Sequence, residues 1–196
     1  PVGCTATIIY KMYVDAGVKI EPKIALLMCS AIISDTLIFR SPTCTEMDRE
    51  AGKALAEIAG INIKEHAHEM FFAGSNISEK TAKELFTGDF KRFSIGDTTF
   101  GIGQVSCMDG EELDQVKKKV MTYMKEQYKS LGVNMLYFML TDIIKPGTEL
   151  LCVGDGAMEL VERAFGVQGS DDVVYLPGVV SRKKQVVPEI MMEITQ

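Results

Sequence analysis

An all-helical stretch followed by an α/β segment with a mixed sheet is the fold class that the sequence predicts. Three observations lead to it. Up to about residue 74, apolar residues recur at helical spacing between glycine and proline stops. Beyond that point, short apolar or alternating runs take turns with amphipathic helices, as in a mixed sheet with helices packed on it. A small, polar stretch, Gly74-Ser75-Asn76-Ile77-Ser78, separates the two textures and reads as a linker.

The elements follow in order. Thr5–Val14 is an apolar-rich helix with Gly17 as its stop, and Pro22 opens Lys23–Ile33 at a first helical position. Thr43 and Glu46 have capping-box spacing ahead of the amphipathic run Met47–Ala59, which Gly60 ends; Ile63–Ala73 is a further helix closed by Gly74. After the linker, Glu79–Phe86 reads as a short helix. Asp89–Ile95 and Thr98–Ser106 read as strands of a hairpin turning at Gly96-Asp97. Glu111–Leu131 is a long amphipathic helix stopped by Gly132. Met135–Leu140 and Glu149–Val153 are buried strands, Ala157–Phe165 a helix and Val173–Leu176 a strand; no element is assigned after Leu176.

Composition narrows the function. With 196 residues, 46% of them hydrophobic and 24% charged, the chain has material for one domain or two small ones and is not a disordered segment. A net charge of −6 argues against a nucleic-acid partner, which would want a basic surface. The longest apolar stretches, such as Ile24–Ile33, fall short of the ~20 residues of a membrane span, and no leader pattern is visible. Five scattered cysteines without a C-x-x-C pair are expected to be reduced thiols of a cytoplasmic protein. The chain opens Pro1-Val2-Gly3 and not with Met, as expected of a cleaved chain or a piece of a longer one.

Two segments carry chemistry. In Val179-Val180-Ser181-Arg182-Lys183-Lys184-Gln185-Val186-Val187, three cations sit between apolar brackets that would pin the backbone. Held cations suit tetrahedral phosphoryl oxygens, with Arg as a planar fork and Lys as a point charge; a solvated turn is the plainer reading. Asp35 lies between the apolar runs Ala31-Ile32-Ile33 and Leu37-Ile38-Phe39, where an unpaired carboxylate is costly. A cap role with Ser34 and Thr36, a pair with Arg40, or a metal would each answer that. Other features are weaker. His66 and His68, at i and i+2 on a helix, point apart. Gly101-Ile102-Gly103 lies inside a strand and is no dinucleotide fingerprint. Gly154-Asp155-Gly156 fits an anion or an ordinary helix-entry turn.

Taken together, Pro1–Ile8, Ser30–Leu37, Ser41-Pro42-Thr43 and Val180–Pro188 resemble the manganese-dependent family II inorganic pyrophosphatases of the DHH phosphoesterase superfamily. The resemblance implies that residues 1–74 are the end of a DHH domain, 75–80 a linker, and 81–196 a whole DHH-associated, mixed-sheet domain. It implies that Asp35 is a ligand of a Mn²⁺ (or Co²⁺) pair. Lys91, Arg182 and Lys183 would grip pyrophosphate with Lys184 nearby, Mg²⁺ would arrive with the substrate, and the whole protein would be a homodimer. Two metals would activate a hydroxide while the cations neutralise the leaving phosphate, and closure of an interdomain cleft would bring the two together. The family's His-x-x-x-Asp-x-Asp motif, second-strand Asp and Asp-His-His motif are absent, so the chain is expected to be the later part of a longer enzyme and inactive alone. Upstream sequence could also hold a regulatory CBS insertion. Alternatives are an exopolyphosphatase or nuclease of the same superfamily, and a non-catalytic phosphate-binding module with a structural Asp35. Substituting Arg182 or Lys183 by Ala is expected to cost activity far more than stability.

Overall fold

The structure is a computed structural model that describes residues 1–75, 77, 79–107 and 110–195; the linker positions Asn76 and Ser78 lie outside them. The chain divides into two compact units, Pro1–Gly74 and Ser75–Gln196.

The first unit is helical. Helix α1 (Thr5–Asp15) starts at Cys4, whose sulfur accepts a hydrogen bond from the Ala6 N–H. Pro22 begins α2 (Pro22–Asp35) in its first turn, where its missing N–H leaves nothing unpaired. Helix α3 (Glu46–Ala59) ends at Gly60 in the left-handed conformation (φ 70°), and α4 is Ile63–Ser75. The capping box at α3 is Thr45 with Asp48, two residues later than the expected Thr43 and Glu46. Both pairs have the right types; Asp48 wins because its side chain is also in reach of Gly3, Cys4 and Thr7. Ala25, Cys29, Ile32 and Ile33 of α2 pack against Ala51, Leu55 and Ala56 of α3 to form this unit's core.

The second unit is a mixed α/β layer structure. Its sheet has the order β1-β2-β3-β4-β5, with β1 (Phe90–Ile95), β2 (Thr98–Cys107), β3 (Met135–Asp142), β4 (Gly147–Val153) and β5 (Val173–Pro177). Among the described strands only β2 and β3 run parallel; α6 (Gly110–Gln127) and a 3-10 turn (Tyr128–Leu131) make the crossover that a parallel pair requires. Helix α5 (Ala82–Gly88) begins three residues later than expected because Thr81 and Glu84 form its capping box. Helices α5 and α6 cover one face of the sheet, where Phe86, Val120 and Met124 meet Leu136, Phe138 and Leu151. Helices α7 (Ala157–Phe165) and α8 (Val187–Ile194) cover the other, where Val161, Val187 and Ile190 meet Tyr137, Met139 and Leu150. Buried on both faces, β3 reads as a continuous apolar run, Met-Leu-Tyr-Phe-Met-Leu.

Gly101 and Gly103 serve packing. A Cβ on Gly103 would lie 2.5 Å from the Phe138 ring, and one on Gly101 would strike the Phe90 ring. Among the described residues no helix is long and apolar enough to cross a membrane.

Candidate functional site

The basic triplet lies in a π-helical turn, Arg182–Val186, that runs directly into α8. Widened turns of this kind leave backbone and side chains in unusual directions and recur at functional sites. Here the turn is held from three sides. Gln185 closes it: its Oε1 accepts from the N–H groups of Val180 and Ser181 (3.0 Å each), and its Nε2 donates to the Gly178 carbonyl. Thr148 on β4 donates to the Val179 carbonyl at 2.6 Å, and Gln104 on β2 donates to the Val180 carbonyl at 3.3 Å. Thr148 also meets Thr141 on β3, to which Gln104 donates as well. A buried polar chain across three strands thus fixes the backbone that delivers Arg182 and Lys183. Val186 and Val187 then seat the turn in the apolar core.

The two Lys side chains of the triplet are exposed, but Arg182 is only 8% exposed. Its Nη1 donates to the carbonyls of Asp89 (2.7 Å) and Ile102 (3.2 Å), and its Nη2 to Asp89 Oδ1 at 2.8 Å. Arg182 therefore ties the carboxyl-terminal turn to the start of the β1–β2 hairpin.

Lys91 arrives at the same place by strand register. It pairs with Ile102, the residue whose carbonyl Arg182 holds, and paired residues share a sheet face. That face is the α7–α8 side: Phe93, two residues on, stacks on Phe100 with ring centroids 5.3 Å apart. Lys91 is exposed, and neither it nor Lys183 has a hydrogen-bond or ion-pair partner among the described residues. The structure so binds Arg182 to the hairpin that carries Lys91, with Lys183 next to Arg182 in the π-helical turn. Lys184 is exposed beside them, with its backbone N–H on Ser181 Oγ.

Asp35 belongs to the first unit and is not buried. The apolar residues on both sides face inward without it. Helix α2 ends at Asp35, Thr36 returns its hydroxyl to the Ile32 carbonyl, and Leu37, Ile38 and Phe39 follow at φ of 49°, 55° and 63°. Three consecutive left-handed residues, one β-branched, are strained, and such strain gathers at functional sites. The turn sends Ile38 and Phe39 back onto the core and leaves the carboxylate outside, next to Cys4. Burial, and then the Asp35 carboxylate, push the Cys4 thiol up to about 11.

The buried carboxylate of this unit is Asp48. Burial by itself would raise it, but donation from Thr7, Thr45 and the Gly3 N–H outweighs burial and holds it at about 2. Among the described residues no group of three His, Cys, Asp or Glu could hold a metal ion; His66 instead meets Ser30 Oγ through Nε2 at 2.7 Å. The sequence reading passed over Asp48, Asp89, Gln104, Thr148 and the role of Gln185. Only Thr45-x-x-Asp48 carried a readable signal, as a capping box.

Known proteins resemble this chain. The DHHA2 domain profile matches residues 68–192. A probable manganese-dependent inorganic pyrophosphatase of Clostridium acetobutylicum is 46% identical over 194 residues, covering 99% of this chain and 62% of that protein. A cobalt-dependent inorganic pyrophosphatase of Clostridium perfringens is 44% identical over 195 residues, covering 100% of this chain but 35% of that protein. A Methanococcus jannaschii crystal structure, described as that of a candidate family II inorganic pyrophosphatase, superposes with a TM-score of 0.83 at 40% identity. It is matched over 100% of this chain and 66% of its own. The chain thus spans less than two thirds of the length of these relatives. With the profile covering well over half of its residues, the chain belongs to the DHHA2 domain family.

Proposed function

We propose that this chain is the substrate-gripping part of a manganese-dependent inorganic pyrophosphatase, which splits pyrophosphate into two phosphates. One observation carries the reading: Arg182 is bound to the hairpin that carries Lys91, and Lys183 follows it in a turn whose backbone is held by Gln185, Thr148 and Gln104. Cations on such a rigid frame stabilise a transferring phosphoryl group without reorganising as charge shifts onto the leaving phosphate. Lys91 and Lys183 supply mobile point charges, Arg182 a fixed fork, and Lys184 a further positive charge at the rim. On this reading residues 1–74 end a DHH domain, 75–80 link, and 81–196 form the DHH-associated domain.

The described residues do not by themselves fit a pair of divalent metals, since none of them form a three-ligand group. Asp35 is proposed as one ligand of a Mn²⁺ or Co²⁺ pair, the others coming from outside residues 1–196; Mg²⁺ would accompany the substrate. Association into a homodimer and a cytoplasmic location belong to the same proposal. The test compares two proteins. Residues 1–196 with Mn²⁺ are expected to hydrolyse pyrophosphate negligibly. The chain extended to the length of its relatives should prefer pyrophosphate over tripolyphosphate and dinucleotides, and should lose most turnover on Lys183→Ala. Vigorous hydrolysis by residues 1–196, or unchanged turnover in the variant, would overturn the proposal.

A further inference from the structure

Arg182 has five N–H groups, and the chain itself engages three. Nη1 holds two backbone carbonyls, of Asp89 and Ile102, and one Nη2 hydrogen meets the Asp89 carboxylate. The Nε–H and the remaining Nη2 hydrogen form the side-on edge with which a guanidinium takes phosphate in two parallel bonds. Nε has no partner among the described residues, and no buried side-chain nitrogen or oxygen among them is left without one. That edge is therefore open to an incoming anion while the opposite side of the fork is anchored.

Asp89 is placed differently from the other groups on Arg182. Its carbonyl is fixed, accepting from the Gln104 N–H (3.2 Å) as well as from Arg182. Its side chain is 52% exposed and makes the one ion pair that the guanidinium has among the described residues. It sits two residues before Lys91. An anion arriving at Arg182 meets this carboxylate as a like charge at short range.

We propose that Asp89 is a built-in counter-anion of Arg182 that pyrophosphate must outcompete, and that it sets the affinity of this domain for its substrate. The inference rests on the cation set being the pyrophosphate site. Asp89 neutralises the buried guanidinium and keeps its fork aimed when the site is empty. Once substrate is bound, the same carboxylate repels it and favours its departure.

Asp89→Asn tests this, because the amide oxygen can still accept from Nη2 while the charge is gone. Calorimetric titration of residues 1–196 with inorganic pyrophosphate at low salt should give about fivefold tighter binding for the variant than for the parent, as expected for removing one like charge ~5 Å away in a largely aqueous setting. The gap should shrink at high ionic strength. Asp97→Asn, an equal charge change at the hairpin turn, serves as control and should leave binding unchanged; Asp89→Ser replaces the first variant if it unfolds. Equal or weaker binding by Asp89→Asn, or equal tightening by Asp97→Asn, overturns the proposal. No binding by parent or variant overturns the pyrophosphate reading as well, which separates the two failures.

Discussion

Replacing Arg182 by Met should destabilise the second unit even with no substrate present. The sequence led to the opposite expectation for this residue, that activity would suffer and stability would not. Arg182 is buried and makes three hydrogen bonds from a charged donor, two to carbonyls and one to a carboxylate. Asp89 is half exposed, so its ion pair contributes at most about 1 kcal/mol. The Asp89 carbonyl keeps the Gln104 N–H, so losing Arg182 there costs little. The Ile102 carbonyl is deep in the hairpin, and losing a charged donor costs about 1–3 kcal/mol. Met preserves the apolar stem, so the sum is about 1–4 kcal/mol. Urea unfolding followed by hydrogen exchange of peptides from β3 reads the second unit alone, because β3 is buried there on both faces. Lys183→Ala, an exposed change, should move the same transition by less than about 0.5 kcal/mol. If Arg182→Met unfolded within about 0.5 kcal/mol of the parent, the tie between the π-helical turn and the hairpin would be no anchor.

Other outcomes follow from the same geometry. Asp48 is held at about 2 in the folded chain against an ordinary 3.8, so its contribution is complete above pH ~4 and is lost as pH falls through ~2. That amounts to about 2 kcal/mol, and Asp48→Asn should remove this part of the acid dependence of the first unit, as read by exchange of α1 amides; an unaltered acid profile would contradict it. Gly103→Ala should cost about 1–3 kcal/mol because the Phe138 ring it would strike is fully buried. Gly101→Ala should cost less, since Phe90 is only partly buried and can yield; thermal melts of the two variants give the order. Gln185→Ala should release the 178–181 loop, raising exchange at the Val180 and Ser181 amides while β3 stays protected.

Where local rules governed, the sequence was readable. Pro22 at a helix start, Gly60 at a helix end and the unbroken apolar run of β3 each announce their structure through one dominant cause. Misreadings arose where a tertiary contact overrode the local cue. Asp35 looked buried because both flanks are apolar, yet Leu37, Ile38 and Phe39 adopt left-handed dihedrals that their side chains disfavour, and no local signal announces that. No element is assigned from the sequence after Leu176, yet α8 follows the basic triplet with Pro188 in its first turn, where proline is tolerated. Arg182, Lys183 and Lys184 could be named from the triplet, and Lys91 only from the family resemblance. Their supports could not, because Gln104, Thr148 and Asp89 reach the turn from strands and loops 31 to 93 residues away.

The central claim is that Lys91, Arg182 and Lys183 form one pyrophosphate site in the second unit. A phosphorus-31 resonance titration of pyrophosphate with residues 1–196 tests it most directly. The account predicts a saturable shift that Lys91→Ala and Lys183→Ala each weaken by about tenfold or more, with both variants folding as the parent does. A shift of equal size and midpoint in all three proteins would contradict it.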